Sequence, residues 1–101
     1  MEDVVISSAV RTPMGGFQGD LDSFSASELG GEAIQGAMEK AGITRVDEVI
    51  MGNVLGAGQG QAPARQASFA AGLDKTVPAT TLNKMCGSGM KAAMIGFDQI
   101  K

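Results

Sequence analysis

A chain of 101 residues with 44% apolar content, 15 glycines and three prolines has room for one small packed domain and does not read as a disordered one. Its formal charge of −3 is spread over interspersed acidic and basic residues, with four Phe as the only aromatics, which argues against nucleic-acid binding: no basic stripe, nothing to stack on bases. One cysteine cannot staple a domain, and without a histidine no zinc-ligand pattern exists. The core must come from Val, Ile, Leu, Ala and seven Met, and the many small residues in the chain bury little area each, so a domain of this size is marginal and points to a missing partner. No basic segment precedes a long apolar run, so no signal peptide, transit peptide or membrane span is expected, and the default location is the cytoplasm.

The expected elements alternate. Val4 to Val10, "VVISSAV", is rich in β-branched residues, ends at "RTPMGG", and reads as a first strand. "SASELGGEAIQGAMEKAG" reads as a helix. Ser25 and Glu28 have the spacing of a capping box, Leu29, Ala33, Ala37 and Ala41 repeat along one face, and Gly42 is the stop. Gly30, Gly31 and Gly36 weaken its intrinsic propensity. Glu48 to Leu55, "EVIMGNVL", is a second strand running into the loop "GAGQGQ". Pro63 then opens a helix that stops at Gly72. Ala79 to Met85 is a third strand, leading into a third helix from about Cys86 to the end of the chain. The order is β-α-β-α-β-α, an α/β pattern of mostly parallel strands with helical crossovers. In the last helix Met90, Ala93, Met94, Phe97 and Ile100 form an apolar set, and Ala92, Ile95 and Gly96 fill much of the rest. A helix with so few polar positions is buried on most sides.

Cys86, in "NKMCGSGMKAA", heads that helix. A lone cysteine in a chain of this kind is more often a small buried hydrophobe than a nucleophile. Here a strand-to-helix junction puts the thiol near unpaired amides and the positive end of the helix dipole, which favour a thiolate. Gly87 and Gly89 carry no Cβ, so an acyl group has room to approach the backbone, and the Cys86 amide is a candidate donor to an oxyanion. Residue chemistry alone leaves both readings open. The loop Gly56-x-Gly58-x-Gly60 lacks the lysine of a P-loop and the spacing of a dinucleotide fingerprint.

The stretch "LNKMCGSGMKA", Leu82 to Ala92, closely resembles the acyl-enzyme signature of thiolases, the acetyl-CoA acetyltransferases and 3-ketoacyl-CoA thiolases. "AVRTPMGGFQG", "SELGGEAIQGAMEKAG" and "VIMGNVLGAGQGQAPARQASFAAG" resemble the same family in the same order. The resemblance implies that residues 1–101 are the opening part of a thiolase N-terminal domain, ending within the nucleophile helix. It implies Cys86 as acyl acceptor in a reversible Claisen condensation of two acetyl-CoA, or in thiolysis of a 3-ketoacyl-CoA. Coenzyme A thioesters are then substrates, and no cofactor or metal is implied. It also implies that Gln61 reaches toward the active site of a partner subunit in a homodimer or homotetramer and shapes that site; the other reading of Gln61 is an ordinary helix-entry loop. In the family a histidine activates the cysteine, a second cysteine moves the α-proton, and another histidine with an asparagine-bound water forms the oxyanion hole. With no His and no second Cys, these residues must come from elsewhere, from the remainder of a chain or a complementary polypeptide. The 101 residues alone are therefore expected neither to fold stably nor to turn over substrate.

The neighbouring residues read as structural. Asn83 satisfies backbone groups at a strand end, Lys84 is a solvated lysine beside the thiol, and Ser88 is a small packing residue with a helix-start hydroxyl. Arg65 ties the loop together, and Arg11, Thr12 and Pro13 shape the first loop. A rival reading is a non-catalytic thiolase-like segment acting as an interaction or regulatory subunit through a sheet edge and a Met-rich face. The condensing enzymes of fatty-acid and polyketide synthesis share a cysteine nucleophile, but "NKMCGSG" and "GQAPARQ" look more like thiolase.

Overall fold

The computed structural model describes residues 3–101, in which α1 (Ala26–Ala41), β1 (Val49–Gly52), α2 (Pro63–Ala70), β2 (Ala79–Leu82) and α3 (Ser88–Ile100) follow in chain order. β1 and β2 pair in parallel, Val49 opposite Ala79 through Gly52 opposite Leu82, with α2 as their connection. The α/β class and the parallel pairing agree with the expected pattern.

The first expected strand does not. Val4 to Val10 forms no ladder with β1 or β2 and lies beside α1 instead, so the observed order begins with a helix. Ser8 Oγ donates to the Ala37 carbonyl at 2.8 Å, and Lys40 Nζ donates to the Ala9 carbonyl at 3.3 Å. The physical reason is the missing pairing partner. A strand is defined by backbone groups bonded to a neighbour, and here Val5 and Ile6 remain 75% and 85% exposed. The later strands are shorter than Glu48 to Leu55 and Ala79 to Met85 for the same reason, since each has only the other to pair with.

α1 starts and stops as its sequence dictates. The Ser25 side chain accepts from the Glu28 N–H at 3.1 Å, and the Glu28 carboxylate accepts from the Ser25 N–H at 3.0 Å. At the other end Gly42 takes φ 71°, with its N–H on Glu39 and that of Ile43 on Met38, closing a Schellman motif. The glycines inside α1 are contact surface. A Cβ on Gly31 would lie 2.7 Å from the Ala70 Cβ and 3.0 Å from the Ala70 backbone, so bare backbone is what lets α1 meet α2. α2 opens at Pro63, and its Ala64 N–H donates to Thr81 Oγ1 of β2 at 2.9 Å, tying helix to sheet. The buried set is Val49, Ala64, Ala67, Ala71 and Ala92 with Ser68 and Ser88, a core of small side chains.

α3 packs on β1 and buries Ser88 and Ala92. Its other side is bare: Met90, Met94 and Ile100 are 74%, 53% and 69% exposed. A two-stranded sheet covers one face of a helix, so the all-round burial read from the apolar sequence is not reached within this chain.

In the assembly within which this chain folds, replacing Gly31 by alanine should lower the thermal midpoint by the equivalent of about 1–3 kcal/mol of overpacking. Gly36→Ala, whose Cβ meets only Val10 Cγ2 at 3.6 Å, should raise it, since alanine in place of glycine in a helix is worth about 1 kcal/mol. The Ser25 backbone N–H, and then its side chain, hold the Glu28 carboxyl below its ordinary 4.5. A lowered folded-state value means the capping contribution is fully present above the ordinary value and is lost as pH falls through the lowered one. A pH series of melts should show that acid loss in the native protein and less of it in Glu28→Gln.

Candidate active site

Because β1 and β2 are parallel, the chain leaves both at the same edge of the sheet. In open α/β sheets this carboxyl edge is where ligands bind. The loop after β1 carries Gln61, and the turn after β2 carries Cys86. The two are stitched near their roots by Asn83 Nδ2, which donates to the Val54 carbonyl at 3.2 Å.

The Cys86 thiol is free and exposed. It sits ahead of α3 rather than on it, because the helix begins at Ser88 with Gly87 as its N-cap and no side chain closing that cap. The helix thus starts two residues after the expected start at about Cys86, and the reason lies at Met85. Met85 takes φ 47°, a left-handed conformation that a residue with a Cβ rarely adopts. The chain thus reverses sharply between strand and helix, with the thiol at the tip of the reversal. Gly87 N–H donates to the Lys84 carbonyl at 2.9 Å and Ser88 N–H to the Met85 carbonyl at 3.1 Å. Asn83 Oδ1 accepts from the Met85 N–H at 2.9 Å, so Asn83 serves backbone groups on both sides as expected.

Ser88 does more than pack. Its Oγ donates to the Met85 carbonyl at 2.6 Å and accepts from the Lys84 N–H at 2.9 Å, while the residue is 5% exposed. Gly52, at the end of β1, makes this possible: a Cβ there would stand 2.6 Å from the Ser88 carbonyl carbon and 2.8 Å from the Gly89 nitrogen. Neither residue was assigned a site role from the sequence. The available signal was the glycine inside "VIMGNV", since a lone glycine in a strand marks close backbone approach.

The other sequence candidates fall into two groups. Gly87 and Gly89 stand beside Cys86, and a Cβ on Gly89 would meet nothing within 4 Å, so the space expected for an approaching group is there. Gln61 is exposed on its loop, and among the described residues no hydrogen bond joins its side chain to the Cys86 turn. What holds Gln61 in place is Gln66, whose Nε2 donates to the Gln61 and Gln59 carbonyls at 2.7 and 2.8 Å. Arg65 donates to the Lys75 carbonyl at 3.0 Å and lies 4.8 Å over the Phe69 ring, a structural role. Arg11, Thr12 and Pro13 line a groove of about 450 Å³ against Leu29 and Ala33 of α1, away from Cys86. Among the described residues no group of His, Cys, Asp and Glu is arranged to hold a metal ion.

Gly52→Ala should cost roughly 1–3 kcal/mol in folding stability, because backbone rather than a movable side chain is in the way, and it should change the rate at which iodoacetamide alkylates Cys86. Gly89→Ala should leave the melt unimpaired.

Comparison with known proteins adds the context of this edge. Residues 4–101 match the family model for the thiolase N-terminal domain. The chain is 58% identical over 102 aligned residues to the mitochondrial acetyl-CoA acetyltransferase of Xenopus tropicalis, covering 99% of this chain and 24% of that protein. It is 57% identical to the human mitochondrial enzyme of the same name over the same shares. Among solved structures it superimposes on the Acat5 thiolase of Ascaris suum, determined in complex with coenzyme A, with a TM-score of 0.94 and 42% identity over 98% of this chain and 26% of that one. The chain thus spans about a quarter of the length of the relatives it matches.

Proposed function

We infer that this chain, which belongs to the thiolase family through its N-terminal domain, is the nucleophile-bearing part of an acetyl-CoA acyltransferase. The observation that carries the reading is the exposed Cys86 thiol at the tip of a left-handed strand-to-helix turn, at the carboxyl edge of a parallel sheet. The Cys86 thiolate attacks the carbonyl carbon of acetyl-CoA. A bond from Sγ to carbon forms, the bond from carbon to the coenzyme A sulfur breaks, and coenzyme A leaves as the thiol with the proton that Cys86 gave up. The enolate of a second acetyl-CoA then attacks the acetyl-Cys86 carbonyl, giving acetoacetyl-CoA and returning the thiolate; thiolysis is the reverse. A thioester suits both halves, being easily formed and still reactive.

The residues that move protons in this scheme are not among residues 1–101, which contain no histidine and no second cysteine. Residues 1–101 are then the first part of an N-terminal domain, completed by a further stretch of polypeptide, in a homodimer or homotetramer where Gln61 faces a partner's site. Acetyl-CoA and coenzyme A are substrate and product, and the scheme uses no separate cofactor. A lone free thiol fits a reducing compartment such as the cytoplasm; the relatives above are named as mitochondrial proteins. Among the described residues no helix is long and apolar enough to cross a membrane.

The material should be weighed native and denatured, then incubated with radiolabelled acetyl-CoA. A labelled Cys86 in an assembly containing a complementary polypeptide, with the label absent from Cys86→Ser, is the expected result. No label in the complete assembly overturns acyl transfer and leaves the non-catalytic interaction role. The 10.3 kDa chain by itself should give neither turnover nor a cooperative melt. Gly89→Ala, harmless to the fold, should slow labelling by filling the space an acyl group needs.

A further inference from the structure

No side-chain hydrogen bond orients the Cys86 thiol among the described residues, so the thiol stands where its backbone puts it. That backbone depends on Met85 staying at φ 47°. A residue with a Cβ held there stores strain and persists only where its surroundings over-determine it. Relaxation of Met85 to ordinary backbone swings the next residue, Cys86, away. Besides the backbone bonds from Gly87 to Lys84 and from Ser88 to Met85, three side-chain contacts oppose this. The Asn83 carboxamide on the Met85 N–H is exposed, where water competes for it. The two made by Ser88 Oγ, to the Met85 carbonyl and from the Lys84 N–H, are partly buried and span the turn from both sides. Ser88 is in turn seated against Gly52 of β1, so its hydroxyl is referenced to the sheet rather than to the loop.

We propose that Ser88 is the positioning residue for Cys86: its buried hydroxyl holds the left-handed kink at Met85 and thereby sets where Sγ stands as acyl acceptor. This rests on the acyl-transfer reading above. A nucleophile misplaced by about 1 Å can lose roughly 100-fold in rate, while binding of coenzyme A through other parts of the protein is untouched. Ser88 therefore acts on the rate of acetyl transfer at saturating acetyl-CoA, not on the concentration that half-saturates it.

The test uses the chain in the assembly with which it is purified and follows acetyl transfer from acetyl-CoA to Cys86 in single turnovers. In Ser88→Ala the maximal transfer rate should fall by roughly 10- to 100-fold with the half-saturating acetyl-CoA concentration unchanged. Adding Met85→Gly, which takes a positive φ without a Cβ penalty, should recover part of the loss, as no simple packing role of Ser88 predicts. A transfer rate equal to the native one in Ser88→Ala overturns the proposal, and so does a slow rate that Met85→Gly leaves unimproved. Should Ser88→Ala fail to assemble, the double variant decides alone: assembly with labelling supports the proposal, and continued failure overturns it. A native assembly that takes no label fails before any variant is made. That outcome refutes the acyl-transfer reading and this inference with it, and is distinct from failure of the Ser88 role alone.

Discussion

The candidate site depends on one close approach, the backbone of Ser88 and Gly89 lying against Gly52 at the end of β1. Interiors are packed as tightly as crystals, so a contact in which a single Cβ would come within 2.6 Å of a carbonyl carbon admits only glycine without movement. Around this contact lie α3 packed on β1, the Ser88 hydroxyl bonded to the Met85 carbonyl, the left-handed Met85 and the exposed Cys86. The candidate nucleophile is at the surface, and the contact beneath its turn lies one layer down.

The same device recurs between the helices. Gly31 lets α1 meet Ala70 and Ala71 of α2, and the buried side chains are mostly alanine. Close approach of this kind produces precise geometry and little buried apolar area, and area is what stabilises a domain of this size. The apolar residues that could supply it, such as Met90, Met94 and Ile100, face outward. Shape is therefore well specified locally while the hydrophobic contribution is left to surfaces still uncovered. The reactive side chains are unevenly supplied as well, with one exposed thiol and no histidine or second thiol in residues 1–101.

Legibility was greatest where the deciding interaction is local. Ser25 and Glu28, Gly42 and Gly72 mark helix ends through bonds to backbone a few residues away, Pro63 marks one by its fixed φ and missing N–H, and each stands where the sequence put it. The strand at Val4 to Val10 was misread because β-branched residues report a preference for extended backbone, whereas a ladder needs a neighbour. The strand-to-helix junction at Cys86 was legible in the sequence; its place before α3 was not, because nothing in "NKMCGSG" states that Met85 turns left-handed.

By itself the sequence determined the α/β order from the second element onward, the helix caps, the family resemblance and the absence of any histidine or second thiol from these residues. Those properties live in residue identity and in contacts a few positions apart. Only the tertiary structure decided that Gly52 and Ser88, 36 positions apart, meet beneath the turn that carries Cys86, that Gly30 and Gly31 are packing surface rather than weak helix, and that one side of α3 stays bare. Such outcomes turn on distances of a few tenths of an ångström between backbones brought together by the fold, which residue identity along the chain does not encode locally.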